Sequence, residues 1–166
     1  MPSVVFVMGS DSDLPQLEGA FALLGDFDVS FGVRVLSAHR TPRETAAFAD
    51  AAEADGVQVI VAAAGMAAAL AGFLAGHSNL PVIGIPMEGS ALGGVDALYA
   101  TVQMPGGVPV ACMGIGSHGA KNAALFAVRI LALSDEGLRK KLHGFVEQQA
   151  AKVRGKDEAA RKHYGA

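Results

Sequence analysis

The sequence predicts an α/β protein built on a parallel sheet with helices wound on both sides. Apolar runs rich in β-branched residues recur along the chain, segments of helical spacing alternate with them, and three of the runs are nearly continuous, as strands covered on both faces are. The runs are Val4–Met8, Val29–Leu36, Val57–Ala62, Pro81–Ile85 and Val108–Met113, the first, third and fourth being the continuous ones.

The first helix is expected over Leu14–Leu24, with apolar residues at helical spacing behind Asp13. The second covers Pro42–Ala54, where Thr41 is placed to cap and Glu44 to complete a capping box. Small residues predict a helix over Gly65–Gly76, and further helices are expected over Ala91–Val102 and Ala120–Leu133. Ser134, followed by Asp135 and Glu136, opens a last helix reaching about Lys152, with a polar tail beyond it. One domain spans 1–166, its core about 3–133 and its C-terminal helix and tail 134–166.

Composition narrows the partners. The 166 residues are 51% hydrophobic and 17% charged, with a net charge of −3 and no basic cluster before the C-terminal part, which disfavours nucleic acid and favours a small ligand. A mean hydropathy of +0.36 is high for a small domain and predicts a homo-oligomer whose sister subunits cover apolar surface. The opening residues carry no basic leader or spanning segment, so a cytoplasmic protein with no membrane partner is expected. Cys112 is the single cysteine, flanked by Val110, Ala111 and Met113, and reads as a buried structural thiol.

In a parallel sheet the ligand crevice lies beyond the carboxyl ends of the strands, so 9–13, 37–41, 63–69 and 86–90 hold the candidate residues. Gly9-Ser10-Asp11-Ser12-Asp13 offers backbone N–H groups and hydroxyls at a helix start, where an anion is favoured, although a plain capped turn accounts for it equally well. It has neither the lysine of a Walker loop nor the glycine spacing of a dinucleotide fingerprint. Ser37-Ala38-His39-Arg40-Thr41-Pro42 is the strongest signal. An imidazole that exchanges protons near neutrality sits beside a guanidinium that grips phosphate or carboxylate through two parallel hydrogen bonds. The run Ala62–Gly72 has almost no polar side chain, so binding there would rest on backbone amides. Pro86, Ser90, Asp96 and the turn 103–109 read as structural. No histidine pair has metal-ligand spacing, and no cofactor or metal is expected.

Taken in order, MGSDSD at 8–13, SAHRTP at 37–42, LPVIGIP at 80–86, VQMPGGVPVA at 102–111 and KNAALFAVRIL at 121–131 resemble the PurE family of purine biosynthesis across roughly 4–133. The resemblance implies a flavodoxin-like three-layer α/β/α sandwich and a homo-octamer with sites near subunit junctions. The implied function is that of N5-carboxyaminoimidazole ribonucleotide mutase, an isomerase acting by decarboxylation, CO2 trapping and recarboxylation. It further implies that Ser10 and Asp13 hold the ribonucleotide's phosphate and ribose hydroxyls, Arg40 the phosphate, and His39 the proton transfers. Ser12, Ser37, Gly65, Ala67, Ala69 and Leu70 would line the pocket.

One segment departs from that pattern. The mutase branch has GAGGAAHLPG where this chain has AAAGMAAALAG, so Met66 replaces a glycine, Ala69 a histidine and Ala71 a proline. The run is similar to the second branch, aminoimidazole ribonucleotide carboxylase, a lyase using CO2 directly, whereas Arg40 and the 102–111 turn match the mutase branch. Mutase is the expectation. The carboxylase, and a flavodoxin-like module that binds a nucleotide without turning it over, are the alternatives.

Overall fold

Five strands form one parallel sheet in the order β2-β1-β3-β4-β5, with β1 at Val4–Met8, β2 at Phe31–Val35, β3 at Val59–Ala64, β4 at Val82–Pro86 and β5 at Ala111–Cys112. The structure is a computed structural model that describes residues 2–165. The helices are α1 (Leu14–Asp26), α2 (Pro42–Ala52), α3 (Leu70–His77), α4 (Val95–Val102), α5 (Gly116–Leu131) and α6 (Glu136–Tyr164). The strand order is the flavodoxin-like one, and the α/β expectation holds.

The continuous apolar runs are the inner strands. Every residue of β1 and β4 and five of the six in β3 are buried, whereas β2 lies at the edge with Val35 52% exposed. Val5, Val7, Ile60 and Ala62 pack with Leu36, Ala49, Leu70 and Leu74 in one cluster. Elsewhere in the core Phe6 meets Phe21 edge-on at 5.1 Å, and Phe21 stacks on Phe31 at 5.2 Å. Edge-to-face and offset contacts of this kind add about 0.5–1.5 kcal/mol per pair beyond area burial.

Close packing dictates Gly84 in β4. A Cβ there would overlap Thr101 Cγ2 of α4 and come within 3.0 Å of Val110 Cγ1. Thr101 is itself buried, and its hydroxyl donates to Ala97 O at 2.8 Å, leaving its methyl to face the sheet.

Element bounds differ from the sequence reading where turns contain helix-forming residues. Helix α3 begins at Leu70, because Met66 and Ala68 take positive φ. Gly93 and Gly94 (φ +60° and +85°) delay α4 to Val95. The fifth strand shrinks to two residues, and α5 starts earlier, at Gly116. The capping box before α2 does not form: Thr41 makes no side-chain cap bond, and its hydroxyl turns back to Ser37.

The chain divides into two units, Met1–Ala127 and Val128–Ala166. The first unit holds the whole sheet. In the second, Asp135 rather than Ser134 caps α6, accepting from Leu138 N at 2.9 Å. This helix runs to Tyr164, beyond the expected end near Lys152. Ala, Arg, Lys and Glu dominate the added turns and favour helix despite the lone Gly155.

Candidate active site

A cavity of about 440 Å³ opens at the carboxyl edge of the sheet, within the usual range for small-molecule sites. The loops after β1, β2, β3 and β4 supply its lining. The β1–β3 junction lies beneath it, where the chain first winds outward to β2 and then returns to the far side of β1.

The β1–α1 loop is organised by Ser10. Its Oγ accepts from Ser12 N at 3.3 Å and from Ser12 Oγ at 2.9 Å, capping one turn of 3-10 helix over Asp11–Asp13. Asp13 follows at the start of α1 without making a cap bond. Burial raises its carboxyl above the ordinary value of 3.8. The group is thus held toward its neutral form, costly to ionise unless a ligand supplies donors.

The β2–α2 loop is a closed turn. Thr41 N donates to Ser37 O at 2.8 Å, Ser37 N donates to Thr41 Oγ1 at 2.9 Å, and Arg40 N donates to Ser37 Oγ at 3.2 Å. This turn presents His39 and Arg40 at the cavity, both exposed. Arg40 Nη2 reaches across to donate to Gly9 O at 2.5 Å, joining the two polar loops. A guanidinium has five N–H donors, so the tether leaves others for an anion.

The opposite wall runs from Ala64 to Leu70 and has no polar side chain. Backbone shapes it: Ala68 N donates to Gly65 O at 3.1 Å, closing a tight turn that contains the two residues of positive φ. Ala67 and Ala69 are exposed on this wall, while Leu70 is buried at its base. Met66 is 65% exposed on the same wall.

All ten residues singled out from the sequence, namely Ser10, Ser12, Asp13, Ser37, His39, Arg40, Gly65, Ala67, Ala69 and Leu70, line this one cavity. Glu88 and Gly89, which lie in the 86–90 segment but are not singled out individually from the sequence, also border it after β4. The only available signal was their position just beyond a strand end. Ser90 and Asp96 lie outside the lining and serve the turn before α4, Ser90 Oγ donating to Asp96 Oδ1 at 2.8 Å and accepting from Leu92 N at 3.1 Å. His77 is also elsewhere, 3.3 Å from Asp50. Cys112 is half-buried, and burial pushes its thiol up, the condition of an unreactive thiol. Among the described residues no group of three or more His, Cys, Asp or Glu side chains is arranged to hold a metal ion, and no helix is long and apolar enough to cross a membrane.

Comparison with known proteins gives concordant matches. A family model described as AIR carboxylase matches residues 3–152. The N5-carboxyaminoimidazole ribonucleotide mutase of Mycobacterium leprae is 49% identical over 156 residues, 94% of this chain and 90% of that protein. The protein of the same name from Escherichia coli K12 is 45% identical over 150 residues, 90% and 89% of the two chains. The phosphoribosylaminoimidazole carboxylase of Saccharomyces cerevisiae is 48% identical over 152 residues, 92% of this chain but 26% of that longer protein. Among solved structures, PurE of Treponema denticola superposes with a TM-score of 0.86 at 30% identity, covering 96% of this chain and 98% of that one.

Proposed function

This chain belongs to the AIR carboxylase (PurE) family of purine biosynthesis, and from that premise we propose that it is an N5-carboxyaminoimidazole ribonucleotide mutase, yielding 4-carboxy-5-aminoimidazole ribonucleotide. The observation that carries the reading is the convergence of His39 and Arg40 with Ser10, Ser12 and Asp13 on one wall of a single cavity. Relatives named as mutases match over most of their own length, which supports this branch.

The residues divide the work by chemistry. Arg40, with the N–H groups at the start of α1, binds the phosphate, and Ser10 and Asp13 bind the phosphate and ribose hydroxyls. Ser12 and Ser37 complete the polar lining, while Gly65, Ala67, Ala69 and Leu70 form the apolar side against the ring. The carbamate N–C bond breaks, releasing CO2 and leaving the exocyclic nitrogen to take up one proton. Carbon 4 of the ring then attacks the retained CO2, and the C–C bond forms as that carbon gives up its proton. His39 gives a proton to the nitrogen and then regains one from carbon 4, so no net proton is consumed over the cycle. Enclosure keeps CO2 beside its target, replacing a dilute encounter by proximity.

Direct carboxylation of aminoimidazole ribonucleotide is the second reading, and Ala69 favours it, because a methyl group at that position offers no second proton carrier. Assay of the purified protein separates the readings. Turnover of the carbamate without added bicarbonate supports the mutase, whereas turnover of the ribonucleotide only with bicarbonate overturns it in favour of the carboxylase. Binding without turnover of either substrate leaves a nucleotide-binding module.

The protein works in the cytoplasm as a homo-octamer in this reading. Exposed apolar side chains on β2 and α4, among them Phe31, Val33, Val35, Val95, Tyr99 and Val102, support subunit association. Light scattering that gives a monomer at micromolar concentration would overturn it.

A further inference from the structure

Among the described residues only Asp28, Met66 and Ala68 combine a side chain with positive φ, and two of these lie in the turn that forms the apolar wall of the cavity. The left-handed region brings Cβ too close to the backbone, so a side chain there is a cost that glycine avoids. The two residues differ in what offsets that cost. Ala68 is only 3% exposed, and its methyl group is packed within the fold. Met66, at φ +56°, is 65% exposed, so its long side chain recovers little burial from its own chain. It nevertheless lines the cavity, across from a wall that carries every polar group attributed to phosphate and ribose binding.

We infer that Met66 is a specificity-determining residue, held by its left-handed backbone at the cavity mouth so that its thioether closes on the aromatic ring of the bound ribonucleotide. The inference rests on the ribonucleotide reading of the site. A thioether suits the task because it is flexible and polarisable, and it gains from contact with an aromatic ring. Two χ-adjustable carbons and a sulfur also exclude water from the ring face without offering a hydrogen-bonding group that would compete with the polar wall.

Calorimetric titration of the full-length protein tests this with two probes, aminoimidazole ribonucleotide and ribose 5-phosphate, which lacks the ring. Met66→Ala and Met66→Gly are expected to weaken the ribonucleotide by about threefold to tenfold, Met66→Leu by less, and none of them to alter ribose 5-phosphate binding. Thermal melting supplies an independent arm for the backbone premise: Met66→Gly relieves the left-handed conformation and melts higher than Met66→Ala, which keeps the strain. Equal ribonucleotide affinity in Met66→Ala and wild type overturns the inference alone, as does a parallel loss for ribose 5-phosphate. A change in oligomer size by light scattering, with unchanged ribonucleotide affinity, would reassign Met66 to a subunit contact. If the wild-type protein binds no aminoimidazole ribonucleotide, the inference and the functional reading fall together.

Discussion

The two walls of the cavity are made by different means. On the wall formed by Ser10–Asp13 and Ser37–Thr41, side chains bond to backbone and to one another, and Arg40 joins the loops through Gly9 O. On the wall formed by Ala64–Leu70, the shape comes from main-chain dihedrals and one N–H from Ala68 to Gly65. The first wall is therefore specified by residue chemistry and should fail by loss of a group. The second is specified by conformation and should fail by a change in backbone freedom or side-chain volume.

Substitution can break this contrast at its strongest point first. His39→Asn should lower turnover by about a hundredfold to ten-thousandfold, the usual worth of a general acid or base, while titration still detects the ribonucleotide; near-normal rates would refute the proton-carrier role. Arg40→Ala should raise KM by about tenfold to a hundredfold through loss of a charge-assisted bond. It should also speed amide exchange in the 9–13 loop, since the tether to Gly9 goes with it. Retained slow exchange would show that the loop holds itself.

A third substitution sharpens the comparison by leaving both walls alone. Gly84→Ala places a Cβ against Thr101 and Val110, and denaturant unfolding should report a loss of about 1–3 kcal/mol from overpacking, with KM unchanged. The smallest effect is expected at Asp13. Its carboxyl is raised in the folded protein, so ionising it above the ordinary value of 3.8 opposes folding, and that opposition grows as pH rises through the folded-state value. Asp13→Asn should thus melt slightly higher than wild type at pH 7. The difference should fade below about pH 4, where the wild-type carboxyl is protonated in both states. A constant difference across that range would assign the effect to packing.

This contrast also explains what could be read without coordinates. Buried strands announce themselves by unbroken apolar runs, and β1, β3 and β4 are continuous because helices cover both their faces. His39 and Arg40 were legible because few residue types exchange protons or grip anions, and both follow a strand. The 65–69 turn was misread as the start of a helix, since alanine and methionine are good helix formers and nothing in their chemistry signals positive φ. The capping box failed for a related reason: Thr41 had two competing partners, and the backbone of Ser37 was closer at hand than its own helix. Glu88 was legible only as part of the 86–90 segment, because a lone carboxylate beyond a strand has no distinguishing pattern.

Because all five strands run in one direction, the return connections 27–30, 53–58 and 78–81 gather at the end of the sheet remote from the reacting groups. A five-residue strand separates the two ends by about 17 Å, enough for an alteration at one to leave geometry at the other untouched. New chain termini or an inserted reporter peptide are best accommodated at 53–58, where the connecting backbone is largely open to solvent. Such a rearranged chain would let the rim of the cavity be engineered freely while its scaffold is labelled from behind.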